Sequence, residues 1–257
     1  MCGRFGLKTT FSTLAKLLRA EPVEDHEWGP DYNIAPTDPA PVLLLDEAGA
    51  PRLNLFRWGL VPFWADDPKV GARMINARSD TVASKPAFRE AFEKRRLVVP
   101  ASGWYEWRHA VQTKSEDALT LTAAKAPRGK AKTKDEAKPQ PYWMYDPNAG
   151  PNDGPLMFAG LWAKWKDKAT GETRRTFSII TTDAAPSTAQ VHDRMPVILT
   201  PAARDLWLAP DSDNATLQSL LVPYAGALEL HPVAKTVNSV RSDGPELIEP
   251  YLGIVKT

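Results

Sequence analysis

One cysteine, Cys2, occurs in the 257 residues of this chain, so no intramolecular disulfide can form and nothing calls for an oxidising compartment. The four histidines, His26, His109, His192 and His231, are scattered. Neither H-E-x-x-H nor a paired-cysteine spacing is present, so no metal and no cofactor is expected. No apolar run approaches the roughly eighteen residues of a spanning helix, and the start lacks a charged region followed by an apolar one. The expectation is a soluble cytoplasmic protein without a membrane segment. A large charge of either sign is also missing. Net charge is +1 with 25% charged residues, so any anion-binding surface must be a local patch. No internal repeat and no linker divides the chain.

What is present is a sizeable apolar fraction, 43%, with nine tryptophans, enough for a substantial core. The chain opens Met1-Cys2-Gly3-Arg4-Phe5-Gly6, which puts the lone cysteine at an unusual place. Removal of Met1, which tolerates small second residues, would leave a thiol beside a free α-amine. Such a 1,2-aminothiol captures an aldehyde twice. The amine, ordinary pKa about 7.7–8.0, forms an imine; the thiol, about 8.5, then attacks the imine carbon and closes a five-membered thiazolidine. The competing account is a free thiol buried as a small apolar residue.

Along the chain, Phe11, Leu14, Leu17 and Leu18 behind Thr9 and Thr10 predict an amphipathic helix over 9 to 20. Tyr32-Asn33-Ile34-Ala35-Pro36 reads as an ordered loop. Pro41 to Leu45 and Leu53 to Trp58 predict a hairpin across Glu47-Ala48-Gly49. Trp58-Gly59-Leu60-Val61-Pro62-Phe63-Trp64 is too punctuated for a regular strand, so some rings should project. A helix from about Lys85 to Arg96 and a buried strand at Leu97 to Pro100 lead into Trp104-Tyr105-Glu106-Trp107. Residues 110 to 140 are low in complexity and rich in lysine, and read as a solvated insertion between two strands, with a DNA-touching basic tail as the alternative. Strands follow at Pro141 to Tyr145, Leu156 to Trp165 and Thr176 to Thr182, with a hairpin turn in the hydrophilic segment from Lys166 to Arg175. A helix is predicted from Thr200-Pro201, another near Ala215 to Leu221, and a strand near Leu228 to Val233. Many short strands with segregated helices argue for one α+β domain over 1–257, built on antiparallel sheet.

Five segments join Cys2: Asn76-Ala77-Arg78, Pro100 to Trp107, Ala159-Gly160-Leu161-Trp162, His192-Asp193-Arg194-Met195-Pro196, and Val237-Asn238. In this order they resemble the SRAP family, the SOS response-associated peptidases, whose members process abasic sites in single-stranded DNA. The resemblance covers nearly the whole chain apart from 110 to 140. It implies barrel-like, twisted antiparallel sheets with flanking helices and a positively charged DNA-binding groove, with the processed cysteine at its floor. It implies that Cys2 bonds covalently to the ring-opened sugar aldehyde and that Asn76 holds the amine or the sugar oxygen. By the same resemblance Glu106 takes a proton from the amine, and His192 assists ring opening and loss of water. Imine formation must deprotonate an ammonium and protonate a departing hydroxyl, so a carboxylate and an imidazole divide the work. Lyase chemistry from the imine and self-processing at Met1 would accompany it.

Arg4 and Arg78 are the phosphate candidates, with Arg194 and Arg241 weaker, because guanidinium forks suit phosphate oxygens. Trp64, with Phe63, matches the family position where aromatics stack on or wedge between bases of any sequence. The expected partner is single-stranded DNA carrying abasic sites, at single/double-strand junctions among other places, bound by a monomer. One departure stands out: Asp80 follows Asn76-Ala77-Arg78-Ser79 where the family more usually has Glu. Taken singly, each residue has an ordinary account: Glu106 an exposed strand residue, His192 a satisfied loop histidine, Asn76 a turn residue, and Phe63 and Trp64 core. Two rival functions remain. An N-terminal-nucleophile amidohydrolase also exposes Cys2-Gly3, but would supply an Asn-Gly oxyanion hole that is absent here. A plain single-strand-binding module would have no need of the Glu106 and His192 contexts.

Overall fold

The computed structural model describes residues 2–24, 26–108, 139–149 and 154–253. Strand β1 (Phe5–Leu7) leads into helix α1 (Phe11–Leu18). The Thr10 hydroxyl caps that helix by accepting the Thr13 N–H at 3.3 Å, and Phe11, Leu14, Ala15 and Leu18 form its buried stripe. It stops at Arg19, whose φ of 50° lets its N–H turn back to the last carbonyls. The two-residue β2 (Glu21–Pro22) and then β3 (Asp31–Ile34) follow. The second corrects the expectation of a loop at Tyr32 to Pro36. Asp and Asn disguise the strand, but Ile34 stands opposite Phe5, and Asp31 Oδ1 takes the Asn33 N–H at 2.9 Å where the register slips.

The predicted hairpin is β4 (Pro39–Leu45) and β5 (Pro51–Trp58), turned at Gly49 with φ 79°. Then come β6 (Asn76–Arg78), α2 (Arg89–Lys94), β7 (Arg96–Ala101), β8 (Gly103–Arg108) and β9 (Gln140–Tyr145). The reading of 110 to 140 as an insertion falls almost wholly outside the described residues. The strands on either side of it are direct antiparallel partners, with Arg108 opposite Gln140. Long strands β10 (Leu156–Lys166) and β11 (Thr173–Asp183) are followed by β12 (Arg194–Pro196). Helix α3 (Pro201–Leu208) is capped by Thr200 with proline in its first turn, as expected; α4 (Asn214–Ser219) and β13 (Glu229–Pro232) close the order.

One sheet runs β13-β9-β8-β1-β3. The other runs β12-β11-β10-β7-β4-β5-β2, and a further parallel pairing of β11 with β5 closes β11-β10-β7-β4-β5 into a barrel. The fold is therefore α+β and barrel-like, but not purely antiparallel. Strand β6 also runs parallel to β11, continuing along the edge where β5 leaves off.

An aromatic cluster locks the sheets together. Phe5 of β1 meets Trp58 of β5 edge-on at 5.1 Å and Phe158 of β10 at 6.3 Å, and Trp104 of β8 meets the same Phe158 at 6.0 Å. Each buried phenyl contributes about 1.5–3 kcal/mol, so the seam that carries β1 is strongly held. That seam fixes the start of the chain.

Candidate active site

Cys2 lies just before β1, between two elements from distant parts of the sequence. On one side, Tyr105 N–H donates to the Arg4 carbonyl at 2.9 Å, so the chain start runs beside β8 and its next residue, Glu106. On the other, Asn76 Nδ2 donates to the Cys2 carbonyl at 2.7 Å. Asn76 is held by β6, where it stands opposite Ile179 while Ile179 N–H bonds the Ile75 carbonyl at 3.0 Å. The Asn76 Oδ1 is buried and has no hydrogen-bond partner, which leaves a fixed acceptor next to the chain start.

Glu106 is 2% exposed. Burial pushes its carboxyl up to about 7, so the group sits near the midpoint of its titration in neutral solution. Its position one residue from Trp107 hid this; it faces inward rather than standing on an exposed alternating strand. Burial also pushes the Cys2 thiol up, and the charge of Glu106 adds to that, which places the two groups within electrostatic reach. Cys2 has no exposed surface and belongs to the core cluster, so in this state its sulfur is a protonated, shielded thiol.

His192 occupies the turn before β12. Its Nδ1 accepts the Arg194 N–H at 3.0 Å and also lies 2.8 Å from an Asp193 carboxylate oxygen. One nitrogen cannot accept and donate at once. The backbone partner is fixed, whereas the Asp193 side chain is 86% exposed, so Nδ1 is assigned as the acceptor of the Arg194 N–H. The charge of Asp193 also raises the Glu106 pKa, which brings this turn into the neighbourhood of the carboxyl. Topology explains the convergence. The end of β11 carries β6 at Ile179 to Thr181 and β12 at Thr181 to Asp183, so Asn76 and His192 flank one strand end.

The arginines divide. Arg78 is exposed and grips Asp80 through Nε and Nη2, the latter at 2.8 Å. Arg4, the other phosphate candidate, is mostly buried. It is 8% exposed, and its Nη1 is spent on Asn33 Oδ1 at 2.6 Å and the Val237 carbonyl at 2.9 Å. Arg194 is likewise buried, bonding the Thr181 carbonyl and reaching Asp183 at 3.2 Å. Both guanidiniums tie segments together from inside. Around Arg78 the exposed carboxylates of Asp80, Asp183 and Asp193 all act on its charge, so this rim is mixed in sign rather than uniformly positive.

Phe63 and Trp64 do project, at 62% and 51% exposure. Their loop is rigid at its base. Gly59 has φ 120°, and a Cβ there would sit 2.7 Å from the Gly71 carbonyl oxygen. Trp58 Nε1 donates to the Ile75 carbonyl at 2.9 Å and Val61 N–H to Thr176 Oγ1 at 2.8 Å.

A family model for the SOS response associated peptidase (SRAP) matches residues 1–240. The chain belongs to the SOS response associated peptidase family. Abasic site processing protein YoqW of Bacillus subtilis is 34% identical over 255 residues, covering 98% of this chain and all of its own. Abasic site processing protein HMCES of Gallus gallus is 32% identical, covering 91% of this chain and 70% of its own. A crystal structure of a Bacteroides thetaiotaomicron protein superposes with TM-score 0.77 at 26% identity, over 98% of this chain and all of that one.

In this SRAP chain, sequence reasoning missed Asn33, which braces the site, and did not pair Trp107 with Asn238, although both lie in segments it singled out. Asn33 Nδ2 holds the Ser239 and Ser242 carbonyls at 2.9 and 2.6 Å, and Trp107 Nε1 donates to Asn238 Oδ1 at 2.7 Å. A polar Asn between Tyr32 and Ile34 was the available signal. Among the described residues no group of His, Cys, Asp and Glu could hold a metal ion, and no helix is long and apolar enough to cross a membrane.

Proposed function

We propose that this chain processes abasic sites in single-stranded DNA by covalent capture through Cys2. The observation that carries the reading is the meeting of Asn76 Nδ2 with the Cys2 carbonyl at 2.7 Å beside a buried carboxyl, Glu106, whose pKa lies near neutrality. Relatives named abasic site processing proteins over nearly the full chain support it.

In the chain with Met1 attached, the Cys2 nitrogen is a peptide amide and cannot form an imine. Hydrolysis of that one bond, a self-processing peptidase step, frees the amine. Glu106 then takes the proton of the Cys2 ammonium, and the neutral amine adds to the ring-opened deoxyribose aldehyde. The carbinolamine gives up its hydroxyl as water, protonated by His192, to leave an imine. The Cys2 sulfur attacks the imine carbon while its proton passes to the imine nitrogen, closing a thiazolidine. Capture releases one water, and the preceding hydrolysis of the Met1–Cys2 bond consumes one. Asn76 orients the Cys2 backbone during these steps and offers its free Oδ1 to the amine or a sugar hydroxyl. If the imine instead loses the proton on the adjacent sugar carbon, the 3′ phosphate leaves, which is lyase chemistry.

On this reading the protein acts as a monomer in the cytoplasm, on single strands and at single/double-strand junctions, with Arg78 on phosphate and Phe63 and Trp64 on base faces. Incubation with an abasic single-stranded oligonucleotide followed by denaturing electrophoresis tests the proposal. A slower band that survives heating is expected; binding without such a band would leave a non-covalent module, and hydrolysis of free glutamine would point to the amidohydrolase.

A further inference from the structure

The tip of the β10–β11 hairpin has two unlike faces. From Ala163 to Lys166 and from Thr173 to Arg175 the strands pair only with each other, beyond the reach of β7 and β5. On one face Trp165 stands opposite Arg174 and is buried, and its Nε1 donates to the Ala65 carbonyl at 2.7 Å. Lys168, in the turn, pairs with Asp66. This face therefore grips the loop that presents Phe63 and Trp64.

The opposite face carries Lys164, Lys166 and Arg175, all exposed, with Lys164 directly across from Arg175 in the ladder. Like charges in that relation repel. The nearby carboxylates do not relieve them: Glu172 holds Arg174, Asp66 holds Lys168, and Asp167 accepts the Ala169 and Thr170 N–H groups that shape the turn. In a chain of net charge +1 this is a concentrated cationic face. It is attached through the thickness of one hairpin to the two most prominent exposed rings of the loop.

We propose that Lys164, Lys166 and Arg175 form a phosphate-binding surface for the DNA strand flanking the bases met by Phe63 and Trp64. The inference rests on the DNA reading given above and extends its footprint away from Cys2. A phosphate seated between Lys164 and Arg175 turns a cross-strand repulsion into two attractions. Flexible lysine stems follow a backbone without reading its sequence.

The test compares wild type with the triple variant Lys164→Gln, Lys166→Gln, Arg175→Gln in equilibrium binding to single strands of about 5 and about 20 nucleotides that carry a tetrahydrofuran abasic analogue, which has no aldehyde to bond. True abasic strands of the same lengths serve as crosslinking controls. Each lost phosphate contact on a single strand removes roughly 0.7 from the slope of log K against log salt, so a fall of about 2 is expected with the longer strand. The short strand carries fewer phosphates beyond the abasic position and should show a smaller change. A charge-keeping variant, Lys164→Arg with Lys166→Arg and Arg175→Lys, should restore the slope. Should the triple variant fold poorly, Lys164→Gln alone is read for a fall of roughly 0.7. An unchanged slope with the longer strand, while wild type still crosslinks both, overturns the hairpin surface and leaves a solvated face. Absence of any wild-type adduct with either strand overturns the reading of the Cys2 site, and this surface with it.

Discussion

Asn76 and Cys2 are 74 residues apart in sequence and meet at 2.7 Å, side-chain amide to main-chain carbonyl. The contact joins the start of the chain to the short parallel strand on β11, so the position of the reactive residue depends on the pairing of β6 with β11. Replacing Asn76 by Ala should cost about 1 kcal/mol from the lost hydrogen bond, a fall in Tm of roughly 2–4 °C for a chain of this size. The larger effect falls on chemistry, since a nucleophile misplaced by about 1 Å loses roughly 10²-fold in rate. Adduct formation timed at saturating DNA, beside a thermal melt, separates the two. A rate loss no larger than the stability loss predicts would remove Asn76 from the site.

Glu106 carries a stability signature as well as a catalytic one. Its carboxyl is raised from the ordinary 4.5 to about 7 by burial, so the folded state holds this proton more tightly than the unfolded chain does. Unfolding releases that proton between those values. The contribution is fully present below about pH 4.5 and is lost as pH rises through about 7, in total roughly 3 kcal/mol. Glu106→Gln cannot titrate, so urea melts from about pH 5 to 8 should show wild type losing ground to the variant as pH rises. In adduct kinetics the wild-type rate should climb through the same range as the base ionises, and the variant should be slower by roughly 10²–10⁴. Parallel stability curves for the two proteins would mean that Glu106 titrates normally.

Much of this was legible because local patterns and packing agree. The α1 stripe of Phe11, Leu14 and Leu18 and the Thr200-Pro201 start of α3 needed only periodicity and caps. The exposure of Phe63 and Trp64 followed from Gly and Pro punctuation. Asp31–Ile34 was hidden because its pairing with β1 is tertiary and its polar residues belong to a bulge. The burial of Arg4 was hidden for a related reason. Proximity in sequence placed Arg4 beside the reactive residue, but its side chain turns inward to the Val237 carbonyl, 233 residues away. No local pattern encodes which way a side chain turns at the start of a strand when both sides are covered.

Asp80 occupies the fork of Arg78. A phosphate must displace that carboxylate to use the same donors. Asp80→Asn should therefore tighten binding to single-stranded DNA and steepen its salt dependence by up to roughly 0.7 in slope. Weaker binding in the variant would show that Asp80 aims Arg78 instead of competing for it.

The ends of β8 and β9 make a further expectation measurable. Arg108 and Gln140 are already register partners, so residues 112–138 can be removed and the ends joined by a short turn without stretching either strand. Shortening a loop changes its closure cost only slowly with length. The shortened protein should melt within a few degrees of the parent and form the adduct at a similar rate. Insoluble protein would mean that the segment contributes to the fold.

The central prediction concerns the two functional groups of Cys2. In the structure this residue is fully buried and its thiol is pushed up by burial, so a sulfur acting alone would be a poor nucleophile. An amine that first forms an imine removes that difficulty, because the thiol then attacks within a five-membered ring at high effective concentration. Cys2→Ala keeps the amine once Met1 is removed and lacks the sulfur. It should give no heat-stable adduct, yet borohydride should still trap an imine. An amino-terminal extension that resists processing keeps the sulfur and turns the amine into an amide, and there both products should vanish. Retention of the heat-stable adduct by Cys2→Ala would assign the bond to another nucleophile and leave Cys2 as core packing against β1.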